Sequence, residues 1–174
     1  METFLVALDG TPASTRVVHY VGKIVASLEK TKIFLFHVLP VVSPNLLTEE
    51  EVKRVQEVHE QDDFEHLSGF FWSKEAEEKM NQTFENAMNI LVEYGVPPES
   101  IHKVFAVESD SIANLILAHA KRLKCSTVVV GRRGLGRVKE ILLGSTSSSV
   151  IRNAKGYTIW VVDTPQEDTS QGGK

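Results

Sequence analysis

Glycines and hydroxyl residues cluster in one stretch of the sequence, residues 130–146, which reads VGRRGLGRVKEILLGST. It follows an apolar run and precedes SSSVIRNA, whose pattern predicts a helix. Glycines allow backbone amides to approach a ligand closely, and the start of a helix adds unpaired N–H groups and the positive end of its dipole. A loop of this composition between a buried strand and a helix is suited to holding an anion such as a phosphate group.

The standard phosphate and catalytic motifs do not match this stretch. A P-loop sequence is absent, and GRRGLG has the reverse of the dinucleotide-binding spacing and follows the fourth predicted strand instead of the first. Neither the kinase motifs nor a GxSxG nucleophile elbow occurs. The histidines have no HExxH spacing, and the group His59, Glu60, Asp62, Asp63 and His66 is better interpreted as a solvated acidic helix than as a metal site. We therefore predict neither a catalytic residue nor a protein side chain that ligates a metal.

Length and composition indicate one soluble domain. The chain has 174 residues, of which 42% are hydrophobic and 24% charged, and its net charge is −4. This charge does not favour a nucleic-acid or membrane partner. The single cysteine, Cys125, cannot form an internal disulfide, and no stretch approaches the ~20 apolar residues of a membrane span. We expect a cytoplasmic protein.

Strand and helix patterns alternate along the chain. Apolar runs predict strands at residues 4–9, 32–38, 102–107, 126–131 and 157–162. Apolar residues at helical spacing predict helices in the intervening regions: a first stripe from Val17 to Leu28 behind a Thr11 cap, others at 80–91 and 112–120, and a short one at 150–151. The alternation predicts an α/β fold with a parallel sheet covered on both faces.

The segment 43–73 interrupts this alternation. Thr48 and Glu51 have the spacing of a capping box and predict a helix near 48–60. Phe70, Phe71 and Trp72 follow, and we expect them to pack against the core, although a ligand cover or a docking surface for a partner is the alternative. Residues 165–174 have the composition of a flexible tail.

The glycine spacing, Gly131 and Gly134 followed by Gly144 and Ser145, resembles the G-x2-G-x9-G-[S/T] loop of the ATP-binding universal stress proteins. Four other stretches add to the resemblance. FLVALDGTPAS is similar to the family's first strand and turn, IFLFHV to its second strand, STVVVGRRG to its fourth, and LLGSTSSSVIRNAKGYTIWVV to its last helix and strand. The resemblance covers nearly the whole chain outside 43–73.

The resemblance implies a single-domain, three-layer sandwich over residues 1–164, with an insertion at about 43–73. Its Rossmann-like sheet, similar to that of the adenine nucleotide alpha hydrolases, has five parallel strands in the order 3-2-1-4-5, which places a ligand between strands one and four. The implied ligand is ATP or AMP, with or without Mg²⁺. The implied nucleotide-binding residues are Ala7, Asp9, Val38, Val130, Gly131, Gly134, Gly144, Ser145 and Thr146.

In the implied site, Asp9 accepts hydrogen bonds from the nucleoside, the Val38 backbone meets the adenine edge, and the glycines and hydroxyls hold the phosphates. Alternatives remain at single positions, because Asp9 also fits an ordinary turn, and Ser145 or Thr146 fits an ordinary helix cap. The sequence departs from the family before the third helix, where Asp110 and Ile112 replace a common glycine and proline. If that turn faces the crevice, Asp110 weakens phosphate binding.

The expected function is that of a nucleotide-binding stress sensor or regulator and not of an enzyme. Two alternatives remain: a slow ATP hydrolase or nucleotidyl transferase, and a dimeric scaffold whose pocket is vestigial. The resemblance also implies a homodimer joined through the last strand, Tyr157 to Val162. That strand contains Trp160 and is expected at an edge of the sheet, where an unpaired strand can pair with its twin.

Overall fold

The computed structural model describes residues 1–61, 67–132 and 143–163. The strands are β1 (Glu2–Leu8), β2 (Thr31–Leu39), β3 (Ile101–Val107), β4 (Thr127–Gly131) and β5 (Thr158–Val162). The helices are α1 (Pro12–Val25), α2 (Glu49–His59), α3 (Lys74–Glu93), α4 (Ile112–Arg122) and α5 (Ser145–Asn153). The tail 165–174 lies outside the described residues. Among the described helices, none has the length and apolarity needed to cross a membrane.

The five strands are parallel and lie in the order β3-β2-β1-β4-β5, which confirms the predicted fold class and strand order. Buried residues form two clusters, one on each face of the sheet. Helices α1, α2 and α3 contribute to the first cluster, and α4 and α5 to the second. Strand β2 shows why the sheet is apolar throughout, since Leu35 faces the first cluster while Phe34 and Phe36 face the second.

The structure confirms the two helix caps that were predicted from the sequence. Thr11 accepts a hydrogen bond from the Ser14 N–H, and Thr48 and Glu51 form a full capping box. One detail was wrong: α1 ends at Val25, and Leu28 lies beyond it with 39% of its surface exposed. After Val25 the chain turns toward β2, and the Leu28 N–H donates to the Val25 carbonyl in that turn.

Strands β1 and β4 separate near their carboxyl ends. Their pairing runs from Phe4 opposite Thr127 to Val6 opposite Val129. On its other side β1 stays paired with β2 through Leu8, and β4 stays paired with β5 through Gly131. The sheet therefore opens between its two central strands at the point where the strand order reverses, which is where ligands bind in open parallel sheets.

The inserted segment packs on the same face as α1 and α3. Trp72 is 1% exposed, its indole N–H donates to Glu77 Oε2 at 2.7 Å, and its ring packs edge-on against Phe105 of β3. Phe70 and Phe71 are partly buried against the same cluster. The prediction that these aromatic residues pack against the core is confirmed.

Candidate functional site

A cavity of about 630 Å³ opens where β1 and β4 separate. The ends of β1, β2 and β4 form its floor, and the first two turns of α1, α3, α4 and α5 form its walls. Its lining includes the following residues: Ala7, Leu8, Asp9, Ser14, Phe36, His37, Val38, Pro40, Ala76, Lys79, Glu108, Ile112, Ile116, Val130, Gly131, Gly144, Ser145, Thr146 and Ser147. The volume lies within the usual range for small-molecule pockets, about 300–1,000 Å³.

The structure brings most of the predicted site residues together in this cavity. Eight of the nine line it, and they are Ala7, Asp9, Val38, Val130, Gly131, Gly144, Ser145 and Thr146. The ninth, Gly134, lies outside the described residues. Residues from opposite ends of the chain thus meet because the strand order places β1 beside β4.

Asp9 is held by a tight turn between β1 and α1. Its Oδ1 accepts hydrogen bonds from the Thr11 N–H at 3.0 Å and from the Thr11 hydroxyl at 2.6 Å. Gly10 between them has φ +75°, a conformation that favours glycine. These contacts use one carboxylate oxygen and fix the direction of the side chain, which is the preorganisation that a hydroxyl-binding carboxylate requires.

The start of α5 presents backbone donors to the other side of the cavity. Gly144 is the N-cap residue and provides no side-chain cap, so the first N–H groups of α5 keep their donor capacity for a ligand. The Gly144 N–H donates to the Arg132 carbonyl at 2.8 Å, and the Ser147 hydroxyl donates to the same carbonyl at 3.0 Å. These bonds fix the helix start beside the end of β4, in the geometry that binds phosphate groups.

The wall on the α4 side is apolar. Phe36, Val38 and Val130 come from the sheet, and Ile112 and Ile116 come from α4. Phe36, Ile116 and Val130 are members of the buried cluster on this face. A flat apolar ring is the kind of group that such a wall accommodates, with polar recognition left to the strand ends.

His37 is a cavity residue that the sequence analysis missed. It is buried, and its Nδ1–H donates to the Leu8 carbonyl at 2.9 Å, since a carbonyl oxygen can only accept. Burial lowers the pKa of His37, and its bond to Leu8 and the charge of Asp9 oppose that shift in part. The neutral ring therefore fixes the end of β2 against the end of β1.

Two charged cavity residues were missed as well, Lys79 of α3 and Glu108, which follows β3. Asp110, which we expected to repel phosphate if it faced the crevice, accepts hydrogen bonds from the Ser111 N–H and the Asn114 amide instead. It is absent from the described lining of the cavity. The acidic residue that this turn contributes to the lining of the cavity is therefore Glu108 and not Asp110.

Two alternative interpretations of the sequence concern a metal site in the acidic stretch and a ligand cover in segment 43–73. Three of the residues named for the metal site, Asp62, Asp63 and His66, lie outside the described residues. In the part of the chain that the structure describes, no group of three or more His, Cys, Asp or Glu side chains is arranged to hold a metal. His59, from the acidic stretch, bonds through Nε2 to the Phe70 carbonyl. Within the described ranges of segment 43–73, no residue lines the cavity, so the ligand-cover interpretation gains no support there.

The sequence matches a known protein family over most of its length. A family model described as the universal stress protein family matches residues 1–162. A curated protein of Bacillus subtilis (strain 168), Universal stress protein YxiE, is 41% identical over 66 residues. That alignment covers 38% of this chain and 41% of the relative, so the chain matches less than half the length of that protein.

Solved structures share the fold over nearly the whole chain. The hypothetical protein MJ0577 is 22% identical with a TM-score of 0.65, over 95% of this chain and 98% of that one. A universal stress protein in complex with cAMP is 20% identical with a TM-score of 0.63, over 94% and 98% of the two chains. An Arabidopsis thaliana member, At3g01520 with AMP bound, is 18% identical with a TM-score of 0.58, over 93% and 91%.

Proposed function

We propose that this chain, which belongs to the universal stress protein family, binds an adenine nucleotide in the crevice between β1 and β4. One observation carries the proposal: a fixed carboxylate, an apolar wall and an uncapped helix start line a single cavity of about 630 Å³. These three features match the three parts of a nucleotide, which are the ribose hydroxyls, the flat base and the phosphate.

The proposed pose follows from the type of each group. Asp9 accepts hydrogen bonds from the ribose, and the Val38 backbone and the apolar wall receive the base. Val130 and Gly131 lie under the ribose, where glycine permits close approach. Ser145 and Thr146 donate amides and hydroxyls to the phosphate, and Gly144, whose N–H already bonds to the Arg132 carbonyl, permits close approach of the phosphate to the start of α5. Gly134, which is outside the described residues, is proposed as a phosphate contact on the family resemblance alone.

The relatives with bound ligands support the adenine nucleotide class. The cAMP-bound and AMP-bound proteins hold molecules that share adenosine and one phosphate group. We extend the proposal to ATP because Gly131 and the start of α5 lie together, at the two ends of the glycine loop that resembles the family's ATP loop. Mg²⁺, when present, is proposed to accompany the phosphates of ATP, without ligands from protein side chains.

Calorimetric titration of the purified chain with ATP, AMP and GTP tests this proposal. We expect saturable binding of ATP and AMP, weaker binding of GTP, and a rise in melting temperature with ATP concentration. The variant Gly144→Val should fold normally, because φ −66° and ψ 160° suit any residue, but its side chain should obstruct the phosphate. If saturating ATP produces neither heat nor a shift in melting temperature, the proposal is wrong.

The proposed role is regulatory binding and not turnover. The groups that the described residues bring to the α5 side are amides and hydroxyls, which are suited to holding a phosphate. We expect ATP hydrolysis to be absent or far below the rate of a working enzyme. A steady-state rate above about 1 s⁻¹ would assign the chain to the hydrolase or transferase alternative.

We further propose a homodimer joined through β5. This strand is an edge of the sheet, and Trp160 on it packs edge-on against the half-exposed Tyr20 at 6.2 Å between ring centroids. An edge strand beside exposed aromatic surface is suited to pairing with a second copy. Sedimentation at micromolar concentration should give a species of twice the 19.4 kDa chain mass, and a monomer alone would contradict the pairing.

A further inference from the structure

Lys79 occupies a distinctive position at the rim of the cavity. It lies in the second turn of α3 and lines the cavity on the side opposite the apolar wall. A Cβ atom built on Gly10 would lie 3.4 Å from Lys79 Cε, so the lysine stem crosses the turn that holds Asp9. His37, Asp9 and Lys79 all line the cavity; burial chiefly lowers the pKa of His37, the charge of Asp9 raises it, and the charge of Lys79 lowers it.

The ammonium group of Lys79 has no ion pair in the described part of the chain, where four other pairs occur within 4.0 Å. Arg132 is nearer the glycine loop in sequence, but its guanidinium pairs with Asp163, and Arg132 is not in the described lining of the cavity. Among the described lining residues, Lys79 is thus the one lysine or arginine, and the acidic residues are Asp9 and Glu108.

The charges of the lining residues affect how strongly the cavity binds an anionic ligand. The negative charges of the two acidic lining residues repel a phosphate group, and the backbone donors of α5 must overcome that repulsion. A mobile ammonium on a four-carbon stem reduces it and supplies a charge-assisted hydrogen bond. The adenine ring carries no formal charge, so a lysine gains more from the phosphate than from the base.

We propose that Lys79 is a further ligand-binding residue of this site, whose ammonium group contacts phosphate oxygens of the bound nucleotide from the α3 side. The inference rests on the proposed function. The ligand is then held from both faces of the sheet, by the start of α5 on one face and by Lys79 on the other. Lys79 accordingly sets the preference of the site for nucleotides over nucleosides.

Titration of two variants with ATP and with adenosine tests the role of Lys79. Lys79→Met removes the charge and keeps the length of the side chain, whereas Lys79→Arg keeps the charge. Lys74→Met is the matched control, because Lys74 is on the same helix but outside the described lining of the cavity. Its ammonium is 3.8 Å from Glu78 in an exposed pair, so its loss should leave the fold intact.

We expect Lys79→Met to weaken ATP binding about tenfold and adenosine binding less than twofold. Lys79→Arg and Lys74→Met should each stay within about threefold of the wild type for ATP, since one keeps the charge and the other acts only at long range. The salt dependence of ATP binding should also be shallower in Lys79→Met.

The remaining outcomes distinguish a failure of the Lys79 inference from a failure of the proposed function. If Lys79→Met binds ATP as tightly as the wild type does, or loses ATP and adenosine affinity equally, Lys79 does not contact phosphate and the inference is wrong. If the wild-type chain binds neither ATP nor adenosine, the proposed function fails together with the inference. Equal melting temperatures of the wild type and Lys79→Met establish that a loss of affinity is not a loss of folding.

Discussion

Replacing Glu77 by alanine should destabilise the protein without changing nucleotide binding. Glu77 Oε2 accepts from the Trp72 indole and pairs with Arg54, and it thereby joins the inserted segment to α3. Trp72 is 1% exposed, and two other nitrogens of Arg54 are buried without a partner among the described residues. The substitution therefore leaves two buried donors without their acceptor.

The expected decrease in the free energy of unfolding is the sum of two contributions, one from the Trp72 indole and one from Arg54. An unsatisfied buried indole N–H costs about 1–3 kcal/mol. The Arg54 pair is about one quarter exposed on each side, so solvent screening reduces its loss to about 1–2 kcal/mol. The expected loss is therefore about 2–5 kcal/mol, or about 4–20 °C in melting temperature for a chain of this size.

Thermal and urea unfolding of Glu77→Ala measure this loss, and Glu78→Ala is the control. Glu78 is the next residue on the same helix, is 62% exposed and has a single exposed partner at 3.8 Å, so its replacement should cost less than about 0.5 kcal/mol. A melting temperature of Glu77→Ala within 1 °C of that of Glu78→Ala would refute the reasoning. It would also oppose the proposal that the insertion is an integral part of one domain over residues 1–164.

Three further outcomes are expected. Gly22→Ala should lose about 1–2 kcal/mol in urea unfolding, because the new Cβ would lie 2.6 Å from Tyr94 Cδ2; no loss would show that the ring moves freely. Burial lowers the pKa of His37 from 6.5, so the unfolded chain takes up a proton that the folded chain does not. The free energy of unfolding should thus fall as the pH drops below about 6.5. Between pH 7.5 and 5.5, the midpoint of urea unfolding should change less with pH in His37→Asn than in the wild type. Burial also lowers the pKa of His102, but His102 is present in both proteins and its effect is therefore common to them. Asp9→Asn keeps an acceptor for the Thr11 N–H but loses its charge, so AMP affinity should fall about fivefold to tenfold by calorimetry, and unchanged affinity would remove Asp9 from the site.

Periodicity predicted the strands and a parallel sheet, and the family resemblance alone implied the order of the strands. Runs such as that of β2 are apolar on both faces, which is specific to a covered parallel sheet. The Thr48–Glu51 capping box was recognisable for a similar reason, since its two residues contact each other within one helical turn. Local patterns of this kind are carried by neighbouring residues and need no knowledge of the tertiary packing.

Lys79 and Glu108 were not predicted because their positions depend on tertiary packing. Lys79 is one of many charged residues on the polar face of α3, and only the placement of that helix against the Gly10 turn brings it to the cavity. Glu108 lies just beyond β3, where the paired sheet determines which side chain faces the crevice. His37 was within reach of the sequence analysis, because it immediately precedes Val38 at the end of β2.

The most direct test of the account is the structure of crystals soaked with AMP at ten times its measured dissociation constant. We predict an adenylate between β1 and β4, with its ribose at the Asp9 carboxylate and its phosphate about 3 Å from the first amides of α5. Density for the phosphate at any other surface, or an empty crevice at that concentration, would contradict it.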